Sequence, residues 1–210
     1  SKAGFKRCLE SIAASDDVTV IERGELALYA LLGAALARHA SERGWSHLHV
    51  GFCAKAANIA LFSFLMDGPT YSLTLHSAIE DFGPNQKQKW GHALCGTAVS
   101  EALSKELRRV LGSCCPSSVE VIPMGIDLHE MPLDHVYRPW KRGEPLDIFS
   151  AARLTPAKGQ QHLIEAVAAL KERGLTCRLR LAGEDMSSGG RHQNDLIRLA
   201  ESLGVGESVE

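Results

Sequence analysis

One pattern limits this chain more than any other. Segments rich in strand-forming residues alternate with helical segments, and a proline-broken stretch interrupts the alternation once. Before the break, strands are expected at 46–52, 70–75, 96–99 and 119–123, with helices at about 25–41, 54–66, 85–94 and 101–111. Residues 18–21 read as a further short strand, and little periodicity precedes them. The helix at 25–41 is apolar on most sides and therefore belongs inside a larger body. Asp67-Gly68-Pro69 is a turn signal, Ser100 an N-cap and Gly112 a helix stop. After the break the alternation resumes, with strand 146–152, helix 159–173, strand 177–182 and helix 191–203. Strands that alternate with helices form parallel sheets through right-handed crossovers.

The break itself, HEMPLDHVYRPWKRGEP, has three prolines, mixed charges and no period. It reads as an interdomain connection. The expected organisation is therefore a first α/β domain over 1–128, a linker over 129–145 and a second α/β domain over 146–210. Both series are short for complete domains. The second has two full strand–helix units, and Ser208-Val209-Glu210 reads as the opening of another strand. The chain reads as the middle of a longer protein.

Charge narrows the function classes. The net charge is −2 with both signs mixed throughout, and the absence of a basic stripe argues against nucleic acid as a partner. Cysteines 8, 53, 95, 114, 115 and 177 form no C-x-x-C pair, and three of them lie in or beside apolar runs. This is the usage of a reducing compartment, without a disulfide framework. The first residues, SKAGFKRCLES, lack the apolar core of a signal peptide. The longest apolar run, LALYALLGAALA, falls short of the ~20 residues needed to span a bilayer. Membrane contact is then at most peripheral, and a cytoplasmic location is expected, with the inner membrane face as the place for such contact.

The loops after the strands carry the candidate chemistry. In LDIFSAARLTPAKGQQ the strand runs into a loop with two cations, Arg153 and Lys158, and a helix begins near Gly159. Ligands of open α/β sheets bind at the carboxyl ends of strands. A helix amino terminus adds free N–H groups and positive potential. The combination is a clamp for a phosphate or diphosphate; ordinary solvated loop charges are the other reading. His76 ends an earlier strand, TYSLTLH, where its imidazole is available to a sugar hydroxyl or a developing charge, or to a neighbouring carbonyl. Glu80 and Asp81 follow it closely. Gly183 and Glu184 follow the strand at 177–182, where glycine permits close backbone approach. His47 and His49 share one strand face, but no third zinc ligand accompanies them. No Walker A loop, G-x-S-x-G elbow or G-x-G-x-x-G is present.

In order along the chain, these segments resemble the retaining glycosyltransferases of family 4, which have the GT-B fold of two Rossmann-like domains. SHLHVGFCAKAANIALF is similar to that family's H-x-H strand–helix segment, and YSLTLHSAIEDFG to its T-x-H-x-x-x-D segment. AVSEAL, VIPMGID, FSAARLTPAKGQQHLIEAVAAL and RLRLAGE resemble its later motifs, the third of these matching G-R-L-x-x-x-K-G with alanines before Arg153. Subfamilies that build exopolysaccharide or colanic-acid-like polymers look nearest. The resemblance implies a nucleotide-diphosphate sugar donor and a glycan or lipid-linked acceptor. It implies transfer with retention, no cofactor and no bound metal. It puts Arg153, Lys158 and Gly159 on the donor diphosphate, Gly183 and Glu184 near the nucleotide, and His76 as the catalytic residue beside the transferred sugar. The family's amino-terminal glycine-rich loop and its E-x₇-E segment are not in this sequence.

Two other readings compete. A non-catalytic Rossmann-like module for a nucleotide or phosphorylated ligand would use Arg153 and Lys158 without His76. An epimerase or dehydrogenase would want G-x-G-x-x-G and a Tyr-x-x-x-Lys pair; Tyr137 and Lys141 have that spacing, but in the proline-broken stretch rather than on a helix.

Overall fold

The computed structural model describes residues 2–127, 129–130, 136, 138–187 and 189–210. Tyr137 and much of the expected linker lie outside the described residues. The chain divides into two compact units, Ser1–Glu130 and Met131–Glu210.

The first unit holds α1 (Lys2–Ala14), α2 (Val20–Arg43), β1 (His47–Val50), α3 (Lys55–Leu65), β2 (Thr70–Leu75), α4 (Gln86–Gly91), β3 (Cys95–Ala98), α5 (Glu101–Leu111) and β4 (Val119–Val121). The four strands form one parallel sheet in the order β1-β2-β3-β4, with Leu48 opposite Tyr71 and Leu73 opposite Gly96. Tyr71, Leu73 and Leu75 point to one face and meet Leu61, Phe62, Trp90 and Leu107 in the core. Gly96 admits the Trp90 ring, since a β-carbon there would stand 2.4 Å from it. The opposite face is polar. His47 Nδ1 lies 2.8 Å from Thr70 Oγ1 and His47 Nε2 lies 2.9 Å from Ser72 Oγ. His49 Nδ1 lies 2.9 Å from the same Ser72 oxygen, His49 Nε2 lies 3.1 Å from Thr74 Oγ1, and Thr74 reaches Thr97 at 2.7 Å. Both imidazoles are thus taken up by hydroxyls of the neighbouring strand.

The amino-terminal region departs from the sequence reading. Residues 18–21 are not a strand. Thr19 instead caps α2, its hydroxyl accepting from the Glu22 N–H while its own N–H donates to the Glu22 carboxylate, and Val20 opens the helix. Upstream lies α1, whose Cys8 and Ser11 face inward. Arg23 joins the two helices by donating to the carbonyls of Ile12 at 2.6 Å and Ser15 at 2.7 Å. This use of an arginine on the last carbonyls of a helix satisfies groups the helix cannot pair itself. Helix α2 buries only one face among the described residues: Leu26, Ala30, Gly33 and Ala40 are inside, while Leu31 is 62 % exposed. It ends at Gly44, left-handed at φ 68°.

The second unit holds β5 (Leu146–Ala151), α6 (Gln160–Glu172), β6 (Cys177–Ala182) and α7 (Arg191–Ser202). The two strands are parallel, with Ile148 opposite Leu179 and Ala151 opposite Ala182. Ile164, Val167, Leu179, Leu196 and Val205 form the core. Val209 bridges Leu179 in parallel, and the Glu210 N–H donates to the Leu179 carbonyl at 2.9 Å. Strand-like pairing therefore starts where the sequence suggested another strand.

Helices α2 and α3 approach closely at Gly33, where a β-carbon would sit 2.7 Å from Phe62 Cβ and 2.8 Å from the Ser63 nitrogen. Neither neighbour is the end of a flexible chain. Gly33→Val is expected to destabilise the first unit by roughly 1–3 kcal/mol, as overpacking does. Urea unfolding followed by far-ultraviolet circular dichroism measures it, and an unchanged midpoint would contradict this packing.

Candidate functional site

In the second unit, the carboxyl ends of β5 and β6 bring together five residues singled out from sequence: Arg153, Lys158, Gly159, Gly183 and Glu184. Each position follows from local structure. Leu154 turns inward and is buried. A single 3-10 turn, Pro156–Lys158, then leads to Gly159, which adopts the left-handed φ of 71° that starts α6. The loop after β6 is held against this one. Leu154 N–H donates to the Glu184 carbonyl at 2.9 Å, and Ala152 N–H to the Ala182 carbonyl at 3.0 Å. A β-carbon at position 183 would stand 1.9 Å from the Ala152 oxygen, so only glycine fits.

Arg153 and Lys158 are both exposed. Some surface cations of this unit pair with acids, such as Arg178 with Asp147 at 2.8 Å and Arg198 with Asp195 at 2.5 Å, while others, such as Arg173 and Arg180, do not. Neither Arg153 nor Lys158 has an acidic partner among the described residues. With the opening N–H groups of α6, of which that of His162 donates to the Gly159 carbonyl at 3.0 Å, they make a positive, donor-rich rim. That arrangement suits an anionic ligand with several oxygen acceptors.

Two residues of this region were not singled out from the sequence as candidates. Gln160 is buried in the first turn of α6 and donates from Nε2 to the Arg153 carbonyl at 2.8 Å, fixing the backbone that presents the guanidinium. Its signal is a polar side chain at the helix period of the buried Ile164 and Val167. Asp185 accepts from the N–H groups of Ser187 at 2.7 Å and Gln193 at 2.8 Å. The carboxylate thereby caps α7 from the preceding loop, and the bonds from Ser187 and then Gln193 hold its carboxyl down at about 2.

In the first unit, His76 follows β2 and is half-buried. Its ring lies on Phe52, with centroids 4.7 Å apart, and Phe52 lies 6.1 Å from Phe82. Among the described residues the His76 nitrogens have no hydrogen-bond partner. The ring is thus oriented by stacking while both nitrogens stay available. Among the described residues Glu80 and Asp81 form no hydrogen bond or ion pair with it; the turn they occupy is pinned by Ile79 N–H donating to Glu106 at 3.1 Å. The segment opening α4 read as a polar helix, yet Gln86, Lys89 and Trp90 are buried. Lys89 donates to the Cys53 carbonyl at 2.7 Å, and burial lowers its ammonium to about 8. Burial also pushes the Cys53 thiol up to about 11. Among the described residues no three His, Cys, Asp or Glu side chains converge as a metal site. No helix among them is long and apolar enough to cross a membrane.

Gly183→Ala is expected to cost stability at the upper end of the ~1–3 kcal/mol typical of overpacking, because a backbone oxygen is in the way. Thermal unfolding of the second unit checks it. Asp185→Asn tests the cap. A carboxyl held below its ordinary 3.8 stabilises the fold fully above that value and loses its contribution as pH falls through about 2. The wild type is therefore expected to exceed the variant in stability at pH 6 and to lose the advantage progressively between pH 4 and about 2. Urea midpoints across that range measure the difference.

The family match falls within the second unit, while the structural matches run across both. Residues 138–210 match the family model described as Glycosyl transferases group 1, which is less than half of the chain. No curated protein sequence matches it. Among solved structures, Anabaena HepE in complex with UDP and glucose is similar at a TM-score of 0.64 and 18 % identity, covering 85 % of this chain and 50 % of that one. A glycosyltransferase from Rickettsia africae gives 0.63 and 16 %, covering 87 % and 50 %. Sucrose-phosphate synthase from Thermosynechococcus elongatus gives 0.59 and 17 %, covering 85 % and 47 %. The chain spans about half the length of these structures. Its α/β fold with parallel sheets is that of the GT-B glycosyltransferases over the part it covers.

Proposed function

We propose that this chain contributes to a glycosyltransferase that moves a sugar from a nucleotide-diphosphate sugar to a glycan or lipid-linked acceptor. The observation that carries the reading is the unpaired Arg153 and Lys158 beside the start of α6, within the residues that match the group 1 family. The first unit is then the carboxyl part of an acceptor-side domain, residues 129–145 a linker, and the second unit the opening part of a donor domain. Arg153 and Lys158 grip the donor diphosphate with the backbone at Gly159. Gly183 and Glu184 lie beside the nucleotide, in a loop that the absent β-carbon lets pack on the Ala152 carbonyl. His76 approaches the transferred sugar.

In this mechanism the bond from the anomeric carbon to the diphosphate oxygen breaks, and its electron pair stays on the leaving diphosphate. The acceptor hydroxyl oxygen bonds to the same carbon on the face the diphosphate leaves and passes its proton to the departing diphosphate, so configuration is retained. Charge builds up there, and two fixed cations stabilise it more in the transition state than in the ground state. They do the electrostatic work that a metal does elsewhere, so transfer proceeds without a bound metal. His76, its ring held by Phe52, offers a nitrogen to a sugar hydroxyl. Polysaccharide synthesis is the setting, as in the exopolysaccharide and colanic-acid-type enzymes of family 4. The work takes place in the cytoplasm, with peripheral contact at the inner membrane face when the acceptor is a lipid. The cysteine usage, with no C-x-x-C pair and three cysteines in or beside apolar runs, goes with a reducing compartment.

Calorimetric titration with UDP and with GDP tests the grip. Arg153→Ala and Lys158→Ala are each expected to weaken nucleotide binding about tenfold or more, the scale of a lost charged hydrogen bond. His76→Ala is expected to leave that affinity unchanged and to abolish sugar transfer in the whole enzyme. Absence of binding by both nucleotides would overturn the donor assignment. Unchanged transfer in His76→Ala would remove His76 from this account.

A further inference from the structure

The first unit contains a cavity of about 400 Å³ between the opening turns of α2 and α3 and the turn that follows β2. It is within the size range of small-molecule sites. Its floor holds two polar side chains with unspent capacity. Asn58, only 6 % exposed, accepts from Asn85 Nδ2 at 2.8 Å and has no partner for its own amide nitrogen among the described residues. If both amides are turned over, the bond reverses and the Asn58 oxygen is left over instead. Lys89, 1 % exposed, has three N–H donors and spends two, on the carbonyls of Cys53 at 2.7 Å and Phe82 at 3.4 Å. At the mouth the Asp81 carboxylate is exposed and has no cationic partner among the described residues. Leu26, Tyr29 and Phe82 supply apolar wall.

Charge restricts what such a cavity admits. Glu22, Glu25 and Asp81 line it against Lys55 and Lys89, an excess of one negative charge. A phosphate or carboxylate meets repulsion at the mouth, and a cation meets the ammonium at the floor. What fits is a ligand without charge that both gives and accepts hydrogen bonds along one edge and turns carbon–hydrogen surface to the other. Vicinal hydroxyls on a saturated ring have those properties.

We propose that this cavity binds an uncharged glycosyl residue, with Asn58, Lys89 and Asp81 on its hydroxyls and Tyr29 and Phe82 on its ring. Resting on the transferase reading, the ligand is the sugar of the acceptor, which defines the acceptor as a neutral glycan end rather than a uronic acid or an amino sugar. The donor keeps the positive rim around Arg153, so the two substrates are sorted by charge.

The test is nuclear magnetic resonance of this chain with labelled asparagine and lysine. The probes are methyl α-D-glucopyranoside and methyl α-D-galactopyranoside, with glucuronic acid and glucosamine as charged counterparts. A neutral glycoside is expected to shift the Asn58 amide and Lys89 ammonium signals saturably, and Asp81→Asn, an exposed change that leaves the core intact, is expected to raise its Kd about tenfold. No saturable shift with either neutral glycoside, tighter binding of a charged counterpart, or an unchanged Kd in Asp81→Asn would overturn the site. UDP and then GDP added to the same sample read the second unit separately. Glycoside binding without binding of either nucleotide retains the carbohydrate site and sinks the transferase reading; nucleotide binding without glycoside binding does the reverse.

Discussion

The peptide oxygen of Ala152 leaves no room for a β-carbon at position 183, and the second unit is organised around that contact. Parallel strands release their loops on one side of the sheet, but that alone leaves loops free to spread. Here the loops after β5 and β6 are pressed backbone to backbone and tied by Leu154 to Glu184. Leu154 drops into the core, Gln160 takes the Arg153 carbonyl, and Asp185 fastens the start of α7. The cationic rim is held by its backbone, while its two charged ends stay free of acids. Free ends on a fixed backbone are what a site needs if the ligand is to supply the counter-charge.

Much of this was legible in the residues. Strand β2 has the limits that its run of β-formers suggests, and α5 begins at its Ser100 cap and stops at Gly112. The places of Arg153, Lys158 and Gly183 in loops after β5 and β6 could be read from the strand pattern, and such loops are where parallel sheets bind ligands. The error at 18–21 has a definite cause. Val18, Thr19, Val20 and Ile21 are all β-branched, and that local preference hid the Thr19–Glu22 capping box. Lys89 and Asn58 escaped for another reason: nothing in a polar-looking stretch says which side chains the fold will enclose. Asn85, left-handed at φ 67° and almost fully buried, does the enclosing, and its pairing with Asn58 spans 27 residues of sequence.

The two units use cations in opposite ways. Lys89 is sunk among carbonyls, where desolvation works against its charge. Arg153 and Lys158 stay in solvent at little desolvation cost, and their strength appears only when a ligand excludes the water. A buried ammonium with part of its bonding spent favours an uncharged partner of fixed geometry. Exposed, unspent cations favour an anion. On the proposed reading, acceptor and donor need no further discrimination than this.

The polar face of the first sheet has a direction. Thr70 spends its hydroxyl proton on the Ser46 carbonyl at 3.2 Å, so its oxygen must receive a proton from His47 Nδ1. His47 Nε2 must then accept from Ser72, whose oxygen in turn receives from His49 Nδ1. His49 Nε2 accepts from Thr74, and Thr74 from Thr97. One backbone carbonyl at the edge strand thus dictates the tautomer of both histidines and the rotation of every hydroxyl out to β3. The row is a one-way chain of donors across three strands.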